Sequence, residues 1–281
     1  MEYLSADAER RYAALVRLAD TAVIGLDFDG TLSPIVDDPE VAHIHPDAPG
    51  VLVEVADHVR ALAVITGRPA RQVLALGGLD EVGDAIGEAG HELFVFGQYG
   101  NERWTSLARR VVSPRPPHGL ASFLRELPRL LRDASAGSAY VEDKGLAVAV
   151  HTRRLEDPVA AFDRLLPLLT EAARRHDLAI EPGRQVVEVR SPGIHKGTVV
   201  EGLADDLGAG AFVFVGDDLG DVEAFEAVSR LRDKGLDTLL VCSGSDEQGA
   251  LRDLADVVVD GPDGVLAFLR MLARDAAASR R

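Results

Sequence analysis

Cysteine is almost missing from this chain. Cys242 is the only one among 281 residues, which excludes an intrachain disulfide and any cysteine-rich metal site. It ends the apolar run Thr238-Leu239-Leu240-Val241 and reads as a small core residue. Long hydrophobic runs are missing too. No apolar stretch approaches the roughly 20 residues of a membrane span, and Met1 to Arg11 lack the basic-then-apolar order of a signal peptide. Internal repeats and low-complexity tracts are not found. Positive charge is scarce: 30 Lys and Arg stand against 46 Asp and Glu, a formal net charge of −16. Such a surface repels nucleic-acid phosphates and anionic membranes. The expectation is a soluble, cytoplasmic monomer with neither partner. The same surface repels a small anion, so a phosphate site here needs a bound metal or a few well-placed cations.

What is present is a core. Hydrophobic residues make up 47% of the chain, enough for one large domain or two modest ones. Helix-like runs at 5–19, 51–59 and 69–76 alternate with strand-like runs at 22–28 and 61–66, and two short strands are expected near 84–87 and 92–96. This rhythm predicts a parallel sheet covered on both faces. It breaks at Ser113-Pro114-Arg115-Pro116-Pro117, a candidate linker. A helix over 118–132, strands at 138–143 and 145–151, a helix over 157–175 and strands at 178–182 and 185–190 follow, with turns at Asp143-Lys144-Gly145 and Pro182-Gly183 that suggest antiparallel pairing. Ser191-Pro192-Gly193 reads as the return linker. The α/β rhythm then resumes with helices over 195–207, 219–231, 246–254 and 262–274, strands at 211–215, 237–242 and 257–259, and a tail from Asp275 that is expected to fray. The fold class is α/β: a Rossmann-like, doubly wound parallel-sheet core over 1–111 and 192–281, with an inserted α+β cap domain over 112–191.

Four features fall at or beside expected strand ends of the α/β portion, where ligands bind in open α/β sheets. They are Asp27-Phe28-Asp29-Gly30-Thr31-Leu32, Thr66-Gly67-Arg68, Lys196, and Gly216-Asp217-Asp218-Leu219-Gly220-Asp221. Phosphoryl transfer needs a nucleophile, neutralised equatorial oxygens and a proton for the leaving group. Asp27 can attack phosphorus as a carboxylate. Asp29, brought back by a turn at Gly30, can act as general acid on the ester and general base on water. The Thr66 hydroxyl and Gly67 amide can donate to phosphate oxygens. Lys196 supplies a point charge. Asp217 is a hard oxygen ligand suited to Mg²⁺, and Asp218 and Asp221 can orient bound waters or anchor Lys196. Singly, each piece also reads as a helix cap, a turn or a solvated lysine; together, in this order, they point to one chemistry.

On these stretches, with Ile65 and His195-Lys196-Gly197 alongside, the chain resembles the haloacid dehalogenase superfamily. The resemblance implies Mg²⁺-dependent aspartyl-phosphate chemistry, with the metal held by the Asp27 carboxylate, the Asp29 backbone carbonyl and Asp217, and an inserted cap that covers the site and selects substrate. Within the branch with a large α/β cap it is similar to the trehalose-6-phosphate phosphatase family, through Leu32-Ser33-Pro34-Ile35, Gly97 to Trp104, Val141-Glu142-Asp143-Lys144-Gly145, His151-x-Arg153 and Val186-Val187-Glu188-Val189-Arg190. One departure is Tyr99-Gly100, where many members have His-Gly. The implied substrate contacts are Gly67, Arg68, Glu142, Lys144, Glu188 and Arg190. From the residues alone, Glu142 with Lys144 and Glu188 with Arg190 each share one face of a strand, and such groups read sugar hydroxyls. The expected activity is hydrolysis of trehalose 6-phosphate. Three alternatives stay open: another sugar or pseudo-disaccharide phosphate, a phosphomutase, and a phospho-accepting signalling or non-catalytic sugar-phosphate-binding protein.

Overall fold

The computed structural model describes residues 1–281 apart from Asp37, Arg184, residues 245–248 and Arg281. Its contacts divide the chain into two units, Met1–Ser113 with His195–Arg281, and Pro114–Ile194. The first unit opens with β1 (Glu2–Tyr3), α1 (Ala6–Arg17), β2 (Ala22–Leu26), α2 (Ala48–Ala56), β3 (Ala61–Ile65), α3 (Ala70–Gly77), α4 (Leu79–Glu88), β4 (Leu93–Gly97) and β5 (Glu102–Thr105). The second unit consists of α5 (Leu120–Asp133), β6 (Tyr140–Asp143), β7 (Val148–His151), α6 (Pro158–Arg175), β8 (Ala179–Gly183) and β9 (Val186–Arg190). The chain then completes the first unit with α7 (Lys196–Leu207), β10 (Ala211–Gly216), α8 (Val222–Asp233), β11 (Asp237–Ser243), α9 (Gly249–Arg252), β12 (Val257–Val259) and α10 (Gly261–Ser279).

Among the described residues the first unit forms one sheet in the order β1-β12-β11-β10-β2-β3-β4-β5. The strands from β12 to β4 run parallel, and β1 and β5 are antiparallel edges. Every residue of β2, β3, β4 and β10 is buried, as a parallel sheet covered on both faces requires. Leu15 of α1, Leu52 of α2, Val73 of α3, Ile86 of α4 and Leu269 of α10 pack on one face; Val200 and Leu203 of α7 with Phe225 and Val228 of α8 pack on the other. This is a doubly wound α/β core. From β2 the chain moves outward through β3 and β4; on its return, β10 takes the other side of β2, and β11 and β12 move away in the opposite direction. The carboxyl ends of β2 and β10 therefore flank the topological switch point, where such sheets form their crevice.

The second unit is a smaller antiparallel sheet, β6-β7-β9-β8. Phe123 and Leu127 of α5 and Leu165 and Leu169 of α6 pack on Val148, Val150, Val187 and Val189. The opposite face, by strand alternation, carries Glu142, His151, Glu181, Glu188 and Arg190.

Several elements differ from the sequence expectation. Residues 84–87 are helical, within α4, not a strand: Leu79, Val82, Gly83 and Ile86 form its buried stripe, a helical period. A left-handed Gly78 (φ 56°) separates α3 from α4. β5, not anticipated, pairs with β4 and buries Trp104. β2 ends at Leu26, before the expected residue 28. The helix expected over 219–231 begins as a 3₁₀ turn, Leu219–Asp221, with a reciprocal Asp218–Asp221 capping box. The last helix runs through Ser279 instead of fraying from Asp275; Asp275 accepts from the Tyr12 hydroxyl at 2.8 Å, Ala276 is buried, and Arg280 reaches the His58 carbonyl at 3.0 Å. Of the helix expected over 246–254, residues 246–248 lie outside the described residues. The unit boundaries fall two to three residues later than 112 and 192. Val112 is still bridged to Arg103 at one end, and at the other Arg190 donates to the Ile194 carbonyl.

Asp256, before β12, fastens both helix layers to the sheet. Its buried carboxylate accepts from Arg11 of α1 on one face, from Arg232 Nη2 of α8 at 2.5 Å, and from the Leu240 amide of β11 at 2.9 Å. Asp256→Ala strands two guanidinium groups and an amide. It should cost about 2–3 kcal/mol, below the full cost of breaking a fully buried pair because both arginines retain some solvent, and lower the urea midpoint at unchanged m-value. In β11, burial first and the nearby Asp217 charge second push the Cys242 thiol up to about 11. Its thiolate fraction at pH 8 is then about one in a thousand. Native protein should resist alkylation at pH 8 and take up one equivalent after denaturation.

Candidate active site

The Asp27 amide donates to Val215 O at 2.9 Å, so the residue following β2 is tied to the neighbouring β10. Its carboxylate meets the ammonium of Lys196, the first residue of α7, at 2.5 Å. Lys196 Nζ also donates to Asp221 Oδ1 at 2.6 Å. Asp221 Oδ2 accepts from the Asp217 amide at 3.0 Å, so one carboxylate holds the lysine and shapes the loop after β10. Asp27, Lys196, Asp217 and Asp221 are all buried. Asp218 is half-buried and caps the 3₁₀ turn through the Gly220 amide at 2.9 Å. Burial works against a charged Lys196, but Asp221 and Asp27 outweigh it and hold the ammonium protonated. Burial pushes Asp27 well above the usual carboxylate range, with Lys196 opposing.

The turn after Asp27 is set by backbone. Gly30 has φ 69° and a Cβ there would collide with the Asp217 carboxylate, so a side chain is excluded on two counts. The Gly30 amide donates to Ser33 O at 2.7 Å, and the Ser243 hydroxyl, from β11, donates to the Gly30 carbonyl at 2.6 Å. Ser243 escaped the sequence reading; nothing local marks a serine at the end of a distant strand as the brace of this turn.

Thr66 follows β3, is buried, and accepts from the Arg68 amide through Oγ1 at 3.1 Å. The adjacent segment Gln98–Gly100 supports this loop. The Tyr99 amide donates to Thr66 O at 2.9 Å and the Gln98 amide to Arg68 O at 2.8 Å, with Gln98 and Tyr99 both left-handed (φ 48° and 60°). The Tyr99 ring packs on Gly67, where a Cβ would lie 2.8 Å from it. The Tyr99 position thus shapes the Thr66-Gly67-Arg68 loop, a role the sequence reading did not find. The side chain of Arg68 turns to Asp29, donating to both carboxylate oxygens at 2.7 Å each. Asp29 is accordingly more exposed than the buried cluster and paired with its own cation, while its charge still acts on Asp27.

In the second unit Lys144 Nζ donates to Glu188 Oε2 at 2.6 Å. Glu142 Oε2 is 3.0 Å from His151 Nε2. Glu142 and Glu188 are both registered against Ala149 of β7, which brings them to one face. Arg190 is paired instead with Glu181, at 2.6 Å, and with the Ile194 carbonyl, so its face-mate Glu188 and it have different partners.

The Asp27, Asp217 and Asp221 carboxylates offer oxygens all within 4.8 Å of one another. Burial first, then the charges of Asp27, Asp218 and Asp221, pushes Asp217 up to about 10. Ionised together, these carboxylates would carry more negative charge than the ammonium of Lys196 balances, which is part of what raises Asp217. An all-oxygen, hard donor set with excess negative charge fits a divalent cation of the Mg²⁺ type. The first unit thus brings together a carboxylate fixed by an ammonium, a cation-suited acidic cluster, and a second carboxylate on its own arginine.

A model of the trehalose-phosphatase family matches residues 25–257. Over 280 residues the chain is 32% identical to an uncharacterised glycosyl hydrolase of Mycobacterium tuberculosis, covering 96% of this chain and 20% of that protein. Over 257 residues it is 31% identical to a trehalose-phosphate phosphatase of Mycobacterium avium, covering 88% of this chain and 61% of that protein. It thus spans about a fifth and three fifths of these relatives' lengths. The solved C-terminal domain of the C. albicans trehalose-6-phosphate phosphatase shares the fold, with a TM-score of 0.75 at 18% identity, over 97% of this chain and 98% of that one. No helix among the described residues is long and apolar enough to cross a membrane. The family match covers the end of β2 with Asp27, the β3, α7 and β10 segments that build the site, and the whole second unit, and the chain belongs to the trehalose-phosphatase family.

Proposed function

We propose that this chain is a phosphatase that hydrolyses trehalose 6-phosphate to trehalose and inorganic phosphate. The observation that carries the reading is the buried Asp27–Lys196–Asp221 contact beside Asp217 at the switch point. An oxygen of Asp27 attacks phosphorus, the ester P–O bond breaks, and the leaving alkoxide takes a proton from Asp29. Water then attacks the aspartyl-phosphate, Asp29 takes its proton, and Asp27 and phosphate separate. Lys196 keeps Asp27 oriented and opposes its charge, while Thr66 Oγ and the Gly67 amide donate to phosphate oxygens. Asp27, Asp217 and the Asp29 backbone carbonyl would hold Mg²⁺, with Asp218 and Asp221 supporting that set. The cation supplies neutralisation of the phosphoryl oxygens. In the second unit, read as the cap, Glu142, Lys144, Glu188 and Arg190 select the sugar, accepting from and donating to hydroxyls in exchange for their present partners.

Asp27→Asn should reduce Mg²⁺-supported phosphate release by roughly 10³-fold or more, the scale on which losing a nucleophile acts. An Asp27→Asn protein with near-wild-type turnover would overturn the mechanism. The substrate is tested by kcat/KM across trehalose 6-phosphate, monosaccharide phosphates and an aryl phosphate. Glu188→Gln should lower kcat/KM on trehalose 6-phosphate by roughly 10- to 100-fold, the range of one hydrogen bond to a charged group, and leave the sugarless aryl ester much less affected. Equal losses on both would remove the cap residue from sugar recognition.

A further inference from the structure

The side chain of Arg68 is committed to protein atoms on three sides. Nε and Nη2 donate to Asp29 Oδ2 and Oδ1, each at 2.7 Å, and Nη1 donates to the Pro39 carbonyl at 2.7 Å. The guanidinium carbon lies over the ring of fully buried Phe28, 5.9 Å from its centroid, so the residue between the two aspartates is the platform for the arginine. Its backbone is fixed as well, through Thr66 Oγ1 at the amide and the Gln98 amide at the carbonyl. The Arg68 side chain is only 11% exposed, against 40% for Asp29. A planar fork on a carboxylate fixes both its position and its plane, which the point charge of a lysine does not do. The fork occupies one acceptor site on each oxygen; a carboxylate has about four, so a lone pair remains on each for a proton.

We propose that Arg68 is a positioning residue for Asp29, fixing the plane and reach of the carboxylate that exchanges protons with the leaving group and with water. The proposal rests on the phosphatase reading, in which Asp29 handles the proton. Arg68 thereby acts through Asp29 and not by gripping the sugar or the phosphate.

The test uses the full chain with Mg²⁺, comparing wild type, Arg68→Gln, Arg68→Lys, Asp29→Asn and the Asp29→Asn/Arg68→Gln double variant. Arg68→Lys keeps the charge and the stem should the Gln variant fail to fold. On trehalose 6-phosphate, kcat of either Arg68 variant should fall by roughly 10²-fold, the scale of a misplaced reacting group, with KM nearly unchanged and Lys restoring only part of the Gln loss. p-Nitrophenyl phosphate releases a stable phenolate that needs no proton. The Arg68 variants should release one nitrophenolate per active site in a burst and then turn over slowly, because hydrolysis of the aspartyl-phosphate still requires Asp29. In the Asp29→Asn background, Arg68→Gln should cost almost nothing further, the signature of two residues acting as a unit. A raised KM with kcat retained, equal loss on both esters without a burst, or losses that multiply in the double variant would overturn the proposal. An Asp29→Asn protein as active as wild type would be a different failure: it would remove the phosphatase reading itself, and the positioning role with it.

Discussion

The ammonium of Lys196, wedged between Asp27 and Asp221 at 2.5 and 2.6 Å, is the contact on which the rest of the first unit depends. A charge buried without a partner costs several kcal/mol, so every element that brings these three groups together must do so without slack. β2 and β10 are adjacent, and the Asp27 amide is tied to Val215. The first turn of α7 delivers the lysine, and the 3₁₀ turn after β10 delivers Asp221. Asp221 has two duties that cannot be separated: one oxygen holds Lys196, the other receives the Asp217 amide. The position of Asp217 therefore depends on the same carboxylate that fixes the lysine partner of Asp27. Once Asp217 is counted, the fully ionised cluster would be short of positive charge, and such an all-oxygen set is suited to a divalent cation.

The two units treat charge in opposite ways. In the second unit the carboxylates that share the sheet face away from the helices have nearby cationic or ionisable partners: Lys144 on Glu188, Arg190 on Glu181, His151 on Glu142. A neutral, hydroxyl-rich ligand exchanges hydrogen bonds with such pairs at little electrostatic cost. The first unit instead crowds three buried aspartates, Asp27, Asp217 and Asp221, beside one lysine. In a chain of net charge −16, an anionic ester of the proposed kind gains nothing from long-range attraction, and on that proposal its recognition falls to short-range groups in that crevice. Balanced ion pairs and excess acid are thereby divided between the units by chemistry as well as by chain connectivity.

What the sequence discloses is what is local. An apolar run followed by Asp27-Phe28-Asp29-Gly30 announces a buried strand, a turn and two carboxylates, because each of those properties is carried by neighbours in the chain. The doubly wound core is legible for the same reason: β2, β3, β4 and β10 are apolar throughout. The stretch at 84–87 is short, follows Gly83 and ends on Gly87, so its helical period is visible only when Leu79 and Val82 are counted with Ile86. The continuation of α10 was hidden by position, since a terminal run is expected to fray; Ala276 to Ala278 are strong helix formers, and the Tyr12 contact at Asp275 holds them. Ser243 on the Gly30 carbonyl, Tyr99 on Gly67 and Arg68 on Asp29 are contacts between segments far apart in the chain, and no spacing rule predicts them.

That last contact explains how two aspartates two residues apart come to have separate environments. Were the strand to continue through Asp29, the two carboxylates would share a face, compete for Lys196 and raise the negative charge of a cluster already in excess. The left-handed Gly30 turn follows the second carboxylate, and Arg68 draws it aside. Asp27 is left with a buried point charge that tolerates motion of the carboxylate plane, while Asp29 receives a rigid planar fork in a partly solvated setting. In the proposed mechanism the nucleophile must rotate onto phosphorus as its bond forms, and the proton carrier must hold one plane while protons arrive and leave. On that reading the different geometry of the two cations matches the different demands on the two carboxylates.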